Sequence, residues 1–115
     1  MSLALVDELM VHLARSDRRV AAERCAALVE SGMSLATLVD RGLAPAMERV
    51  GTLWESSTLS VADEHLATAA AEAALSAASA ECRPRSGRGE VVVSCVEGDW
   101  HSLPSRMLAE VLVAE

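Results

Sequence analysis

The chain has 115 residues and a formal net charge of -7, and 51% of its residues are hydrophobic although it contains no Phe or Tyr and only two Trp. This length supports one sizeable core, and the acidic balance excludes the basic surface that unspecific nucleic-acid binding requires. Neither a signal-peptide pattern nor a run long enough to span a membrane is visible. We therefore expect a cytoplasmic protein that binds neither membranes nor nucleic acids directly.

The first third of the chain predicts two helices that form a hairpin. Apolar residues spaced by three and four predict an amphipathic helix over residues 2–14. Ser16 or Asp17 is the expected N-cap of a second helix, and Gly32 supplies the left-handed residue that ends it. Ser34 is then the expected N-cap of a third helical segment.

The third segment is expected to be interrupted at Gly42, after which Pro45 can open a further helix because the first turn does not need its amide. One side of that helix carries Met47, Val50, Gly51 and Trp54. Glycine inside a helix costs about 1 kcal/mol relative to alanine, so Gly51 indicates the close approach of another group. That group is either a large ligand or a neighbouring helix in a tight crossing.

A capping-box pattern follows Trp54. Ser60 and Asp63 stand three residues apart, so the Ser60 hydroxyl can accept hydrogen bonds from first-turn amides and start a helix. Glu64 and His65 then lie just inside that helix, within reach of the Trp54 indole. Two interpretations remain open here. The indole either plugs the core beside a solvated Glu-His pair, or the three side chains form a ligand site.

The helix after the capping box is rich in alanine, which allows neighbouring helices to approach closely. We therefore predict a mainly α fold in which residues 1–82 form a four-helix bundle. Residues 83–89 are basic and rich in turn-forming residues, which is typical of a linker. Three cysteines, far apart and odd in number, indicate small buried residues rather than disulfides or a zinc site: Cys25, Cys82 and Cys95.

Residues 90–115 have a different character. The apolar, β-branched run over residues 90–96 predicts a strand buried on both faces, and a polar loop with Asp99 and His101 leads into a final helix. A strand, a loop and a helix begin a Rossmann-like α/β domain, in which ligands bind at the carboxyl ends of the strands. One such unit cannot close a parallel sheet, so we expect this second domain to be incomplete.

Three motifs in this order resemble the cobalamin-binding module of methionine synthase, corrinoid carrier proteins and cobalamin-dependent photoreceptor regulators. The first is the helix over residues 43–54, and the second is Trp54 followed after nine residues by Glu64-His65. The third is the segment 99–104, which matches the signature Asp-x-His-x-x-Gly except that Pro104 replaces the glycine. In that family a four-helix cap precedes a Rossmann-like domain, and the resemblance extends from the first helices to the end of the chain.

The resemblance implies a lower-face site in the 99–104 loop. His101 would be the metal ligand that coordinates cobalt, Asp99 would hydrogen-bond its far imidazole nitrogen, and Ser102 would lie beside them at the cofactor. A carboxylate behind a ligating imidazole fixes its tautomer and raises its basicity. Pro104 reduces backbone freedom where the family has glycine, which is expected to alter how closely the loop approaches the corrin.

The resemblance also implies an upper-face site on the helical cap. Trp54, Glu64 and His65 would surround the upper cobalt ligand, and Met47 and Val50 would contact the cofactor from the helix that carries Trp54. The Glu-His pair is similar to that of photoreceptors that use adenosylcobalamin. It therefore favours adenosylcobalamin over methylcobalamin as the cofactor.

The predicted function is a sensory or regulatory module without catalysis of its own, in which light or cofactor status changes the upper ligand. A homo-oligomer formed through the cap, or an output domain outside this chain that regulates transcription, would read the change. The alternatives are a corrinoid carrier subunit of a methyltransferase, which would hold methylcobalamin, and a cofactor-free bundle used for association. Without later strands around the nucleotide tail, we expect this chain alone to bind cobalamin weakly.

Overall fold

A computed structural model describes residues 3–82, 89–99 and 101–114. Its helices are, in chain order, α1 (Leu3–Ala14), α2 (Arg18–Glu30), α3 (Leu35–Leu38), α4 (Ala44–Glu55), α5 (Val61–Ala80) and α6 (Leu103–Ala114), with a π-helical turn over Val39–Leu43 between α3 and α4. The mainly helical fold predicted from the sequence is therefore confirmed. Among the described residues, none of the helices combines the length and hydropathy needed to cross a bilayer.

The core of the bundle lies between α2 and α5, which share the most extensive contact between any two helices described. Small side chains allow this contact, because Ala21 and Cys25 of α2 are fully buried, as are most of the alanines on the inner side of α5. The buried residues of α5 are Ala67, Ala70, Ala71, Ala74, Leu75 and Ala78. The alanine run thus brings two helices together, as its composition predicted.

The interruption predicted at Gly42 does not occur. Leu38, Leu43 and Ala44 all have right-handed helical dihedral angles, so α3 continues through the π-helical turn into α4. Gly42 is buried, and a Cβ atom added to it would lie 3.1 Å from Leu9 Cδ1 of α1. The glycine therefore serves a close helix contact rather than a break. The π turn holds one residue more than an α turn, which rotates α4 relative to α3.

The ends of the helices follow the predicted local chemistry. The Thr37 amide donates to Ser34 Oγ at 3.1 Å, so Ser34 is the N-cap of α3. Gly32 after α2 has a φ of 112°, the left-handed conformation expected of it. Asp17 occupies the N-cap position of α2 but makes no capping hydrogen bond through its side chain.

Of the strand, loop and helix predicted after the bundle, only the loop and the helix are seen among the described residues. Residues 90–96 adopt neither helix nor strand, and no strand occurs in the described ranges, because a strand exists only where a second one completes its hydrogen-bond ladder. The final helix, α6, packs on α3 and α5, and its Leu103 and Met107 belong to the core. Of the predicted linker, residues 83–88 lie outside the described residues.

Candidate functional site

Trp54 stands at the edge of the bundle, in the last turn of α4. Its side chain is 46% exposed, so the indole is not the core plug that one interpretation of the sequence required. The chain leaves α4 through a tight turn in which the Thr58 amide donates to the Leu53 carbonyl at 2.8 Å and Ser57 has a φ of 62°. This turn brings the chain back to α5 within a few residues and leaves the indole accessible.

The helix face below Trp54 is open at Gly51 and closed at Val50. An added Cβ at Gly51 would meet no atom within 4 Å, which rules out the tight helix crossing among the described residues. Val50 has no exposed surface, and Met47 is partly buried against the core. A ligand could therefore lie over Gly51 and Trp54, whereas the predicted contact of Val50 with a cofactor would require the bundle to open.

The start of α5 is fixed by a complete capping box. The Ser60 amide donates to Asp63 Oδ2 at 3.0 Å, the Ser60 hydroxyl donates to the same oxygen at 2.8 Å, and the Asp63 amide donates to Ser60 Oγ at 3.1 Å. The Ser60 amide, and then its hydroxyl, lower the pKa of the Asp63 carboxyl because both stabilise the ionised form. This confirms the predicted helix start and fixes the position of the two residues that follow.

Glu64 and His65 form a pair at the surface of this first turn. His65 Nδ1 lies 2.6 Å from Glu64 Oε2, and the other carboxylate oxygen accepts from Thr68 Oγ1 at 3.3 Å. An ionised carboxylate can only accept, so in a neutral imidazole at this distance the proton is on Nδ1 and the Nε2 lone pair is left for another partner. The Glu64 side chain is 19% exposed and that of His65 is 73% exposed, which places the imidazole in solvent and its carboxylate partner against the protein.

The Asp99–His101 loop repeats this arrangement at the start of α6. Gly98 has a φ of 85°, and the Asp99 amide donates to the Val96 carbonyl at 3.0 Å, which forms a tight turn. Asp99 Oδ1 accepts from the His101 amide at 2.9 Å and lies 3.3 Å from His101 Nδ1. The acidic residue of the signature motif therefore binds the His101 backbone and lies beside the ring, and the His101 side chain is 76% exposed.

The loop is anchored beneath His101 by contacts with Cys95. The Cys95 thiol lies 3.5 Å from the His101 carbonyl oxygen and 3.5 Å from Ser105 Oγ. Ser102, the remaining predicted contact in this loop, is exposed. Pro104 is the second residue of α6, where the missing amide costs no hydrogen bond, so the departure from the family glycine fits a helix start.

The two sets of residues lie on different parts of the bundle. Trp54, Glu64 and His65 share the end where α4 meets α5, whereas α6 is joined to α5 by a hydrogen bond from Arg106 to Ser76. Along a helix axis, Ser76 is about 18 Å from Glu64 at 1.5 Å per residue. The structure thus pairs Glu64 with His65 at the start of α5 and Asp99 with His101 before α6.

In the part of the chain that the structure describes, no group of three or more His, Cys, Asp or Glu side chains is placed to hold a metal ion. A metal bound here through His101 would need its other ligands from elsewhere. This donor set fits a metallocofactor whose macrocycle supplies the equatorial ligands and which requires only an axial imidazole from the protein.

A family model described as the B12 binding domain matches residues 5–78. The chain belongs to this B12-binding family. The match covers the bundle from α1 through most of α5 and includes Trp54, Glu64 and His65. The chain is therefore a cobalamin-binding module with a helical cap, as the sequence motifs predicted.

A curated relative of this B12-binding chain is a corrinoid protein of Desulfitobacterium hafniense (strain Y51). It is 25% identical over 119 residues, which cover 99% of this chain and 55% of the relative. The chain thus spans about half the length of the relative it matches. The relative is named as a corrinoid protein, and the family model that matches this chain is described as the B12 binding domain.

Thr68 is a residue of the B12-binding cap that the sequence motifs did not indicate. Thr68 lies one helical turn after Glu64, and its hydroxyl donates to both the Glu64 carboxylate and the Glu64 backbone carbonyl. A threonine four residues after a helical glutamate could have signalled this contact. In an alanine-rich helix it is one of the few side chains that can form a hydrogen bond.

Proposed function

We propose that this chain forms the cap and the first part of the cobalt-ligating region of an adenosylcobalamin-dependent sensory protein. The main support for this proposal is the Glu64–His65 pair, in which Glu64 Oε2 lies 2.6 Å from His65 Nδ1. The pair is at the start of α5, and the half-exposed Trp54 indole is at the end of α4, the preceding helix. An aromatic plane beside two oriented polar groups suits an upper ligand that has both a flat ring and hydrogen-bonding groups.

On the lower face, His101 is the proposed cobalt ligand. Asp99 Oδ1 lies 3.3 Å from its Nδ1, which leaves Nε2 as the nitrogen that would bind the metal. Bound cobalamin supplies a light-sensitive cobalt–carbon bond, and the chain's residues bind and orient the cofactor around it. The cap and the His101 loop would together hold the cofactor.

The upper-face residues favour an adenosyl group over a methyl group. An adenosyl group carries hydroxyl and amine groups that can donate hydrogen bonds to the Glu64 carboxylate or to His65 Nε2, whereas a methyl group offers only apolar surface. Once a bound cofactor covers the site and excludes water, an acceptor that meets no donor costs free energy. The open space at Gly51 and the exposed Trp54 side chain provide the apolar part of the same surface.

In this proposal, Trp54, Glu64 and His65 would hold the cap against the upper ligand, and loss of these contacts would free the cap. The cap then shifts relative to the His101 loop, and a second copy of the protein or an output domain detects the shift. The acidic chain supplies no nucleic-acid-binding surface for this output.

The proposal is tested on the full-length protein that carries this chain. It is loaded with adenosylcobalamin in the dark, and its visible absorbance and oligomer size are measured before and after illumination. We expect a stoichiometric complex whose spectrum and size both change in light. Stable size after complete photolysis would contradict the sensory function, although cobalamin binding would stand.

The contribution of the indole is measured with Trp54→Ala. We expect roughly tenfold weaker adenosylcobalamin binding, the factor that corresponds to about 1.4 kcal/mol of lost contact. Val11→Ala removes an apolar side chain of similar exposure from α1 and is the matched control. Equal affinity for the Trp54 variant and the control would contradict an upper-face role for Trp54.

A second candidate is a corrinoid carrier subunit of a methyltransferase. The alignment of nearly the whole chain with a protein named as a corrinoid protein supports it. The full-length protein would then be loaded with methylcobalamin and mixed with candidate partner methyltransferases and a thiol or tetrahydrofolate acceptor. Transfer of the methyl group, without a size change in light, would favour the carrier over the sensor.

A further inference from the structure

Both oxygens of the Glu64 carboxylate have partners within the protein. Oε2 pairs with His65 Nδ1 at 2.6 Å, and Oε1 accepts from Thr68 Oγ1 at 3.3 Å. Because the Glu64 side chain is only 19% exposed, water can contribute little to its solvation, and these contacts hold the carboxylate in one rotamer. Thr68 itself is partly buried on α5.

We propose that Thr68 is a positioning residue for the upper-ligand site. Its hydroxyl holds the Glu64 carboxylate against His65 and thereby keeps the imidazole proton on Nδ1. This deepens the proposed function and rests on it, since the oriented Nε2 matters only if a ligand binds there.

The preference of imidazole in water explains why such help is needed. A free neutral histidine side chain places its proton mainly on Nε2, which would make the exposed nitrogen of His65 a donor. With the carboxylate fixed behind Nδ1, the exposed nitrogen becomes an acceptor instead. The site then selects upper ligands that carry hydroxyl or amine donors.

The tautomer of His65 is measured by nitrogen-15 NMR on the cofactor-free 115-residue chain at mildly alkaline pH. His65→Gln identifies the His65 signals among those of the three histidines. In the unmodified chain we expect the Nδ1–H form to predominate. In Thr68→Val the ratio of Nδ1–H to Nε2–H should fall about fivefold, the effect of losing one hydrogen bond of ordinary net strength.

Thr68→Ser keeps the hydroxyl and should restore the ratio, and Thr68→Ala replaces the valine variant if that variant does not fold by circular dichroism. Thr52→Val is the matched control. On α4, the Thr52 hydroxyl donates at 3.1 Å to the carbonyl of Glu48, which lies one turn before it, and no histidine takes part in this contact. An unchanged ratio in both Thr68→Val and Thr68→Ala, or no restoration by serine, would overturn the proposal.

Cofactor affinity separates this inference from the proposed function. In the full-length protein, Thr68→Val should weaken adenosylcobalamin binding about fivefold and leave methylcobalamin binding unchanged. A tautomer shift in the chain without any cobalamin binding by the full-length protein would refute the proposed function and leave the Thr68–Glu64–His65 arrangement standing. Normal adenosylcobalamin binding with an unchanged tautomer ratio would refute the role of Thr68 alone.

Discussion

Among the titratable residues that the structure describes, Cys25 has the side chain whose pKa is most strongly affected by the fold. It has no exposed surface and lies on α2 where that helix packs on α5. Burial raises the pKa of its thiol from 9.0 to about 12, the Arg24 guanidinium lowers it by a smaller amount, and Glu8 raises it slightly. A thiol that stays protonated in this way is a packing group rather than a nucleophile.

We expect Cys25 to destabilise the folded chain at alkaline pH. The unfolded thiol ionises near pH 9 and the folded one near pH 12, so its contribution is fully present below pH 9 and is lost as the pH rises toward 12. The free energy of unfolding should fall by about 1.4 kcal/mol per pH unit in that window. Urea unfolding at several pH values, under reducing conditions, measures this slope.

The sequence lacks the two residue types, Lys and Tyr, that usually titrate in this pH window. All ten basic side chains are Arg and the chain has no Tyr, so neither lysine nor tyrosine titrates between pH 9 and pH 12. Cys25→Ala should remove most of the slope. Parallel slopes for this variant and the unmodified chain would show that the buried thiol is not its source.

At the scale of elements, two glycines of the continuous α3–α4 helix have opposite surroundings. Gly42 is buried, with Leu9, Leu38 and Leu5 side chains between 3.1 and 3.5 Å from the position of an added Cβ, whereas Gly51 has open space there. Their helix propensities are equal, so a difference between them must come from packing. One glycine accommodates α1, and the other leaves room on the proposed cofactor face.

We predict opposite effects of alanine at these two glycines. Gly42→Ala should destabilise the chain by about 1 kcal/mol, because overpacking against the buried Leu9 exceeds the propensity gain. Gly51→Ala should stabilise it by about 1 kcal/mol but weaken cobalamin binding by the full-length protein. Chemical denaturation compares the two variants. A stabilised Gly42→Ala protein would show that α1 shifts to accommodate the added methyl group without a loss of unfolding free energy.

At the scale of the whole molecule, α6 is held to the bundle by one apolar edge. Leu103 and Met107 are 6% and 7% exposed, whereas Leu108 and Leu112 on the other side are 51% and 48% exposed. The hydrogen bond from Arg106 to Ser76 adds a polar contact with α5. This packing carries the His101 loop, so the stability of the contact sets the position of the proposed cobalt ligand.

Neighbouring residues of α6 test this contact. Met107→Ala should cost about 2 kcal/mol or more of unfolding free energy, because it leaves a cavity between α6 and the bundle. Leu108→Ala, a similar truncation at an exposed position, should change it by less than about 0.5 kcal/mol. Thermal and urea unfolding of both proteins provide the comparison. Equal losses would indicate that α6 does not dock on the bundle in solution.

The sequence by itself determined most of the helix ends and indicated most residues of the two candidate sites. Ser34, Ser60 with Asp63, and Gly32 were predictable because capping and left-handed turns depend on a few adjacent residues. The alanine run of α5 predicted close packing for the same reason, since side-chain size is a local property. The motif that contains Asp99 and His101 was likewise visible, because it is a short run of adjacent residues.

Only the tertiary structure decided what surrounds these residues. The role of Gly42 depends on Leu9, a residue far away in the sequence, and the exposure of Trp54 depends on how α4 meets α5. The strand predicted at 90–96 was not formed in the described chain, because a strand needs a partner that no local pattern supplies. The spacing of Glu64 and Thr68 was visible in the sequence, but only the burial of the Glu64 side chain, to 19% exposure, decided that its carboxylate depends on partners within the protein.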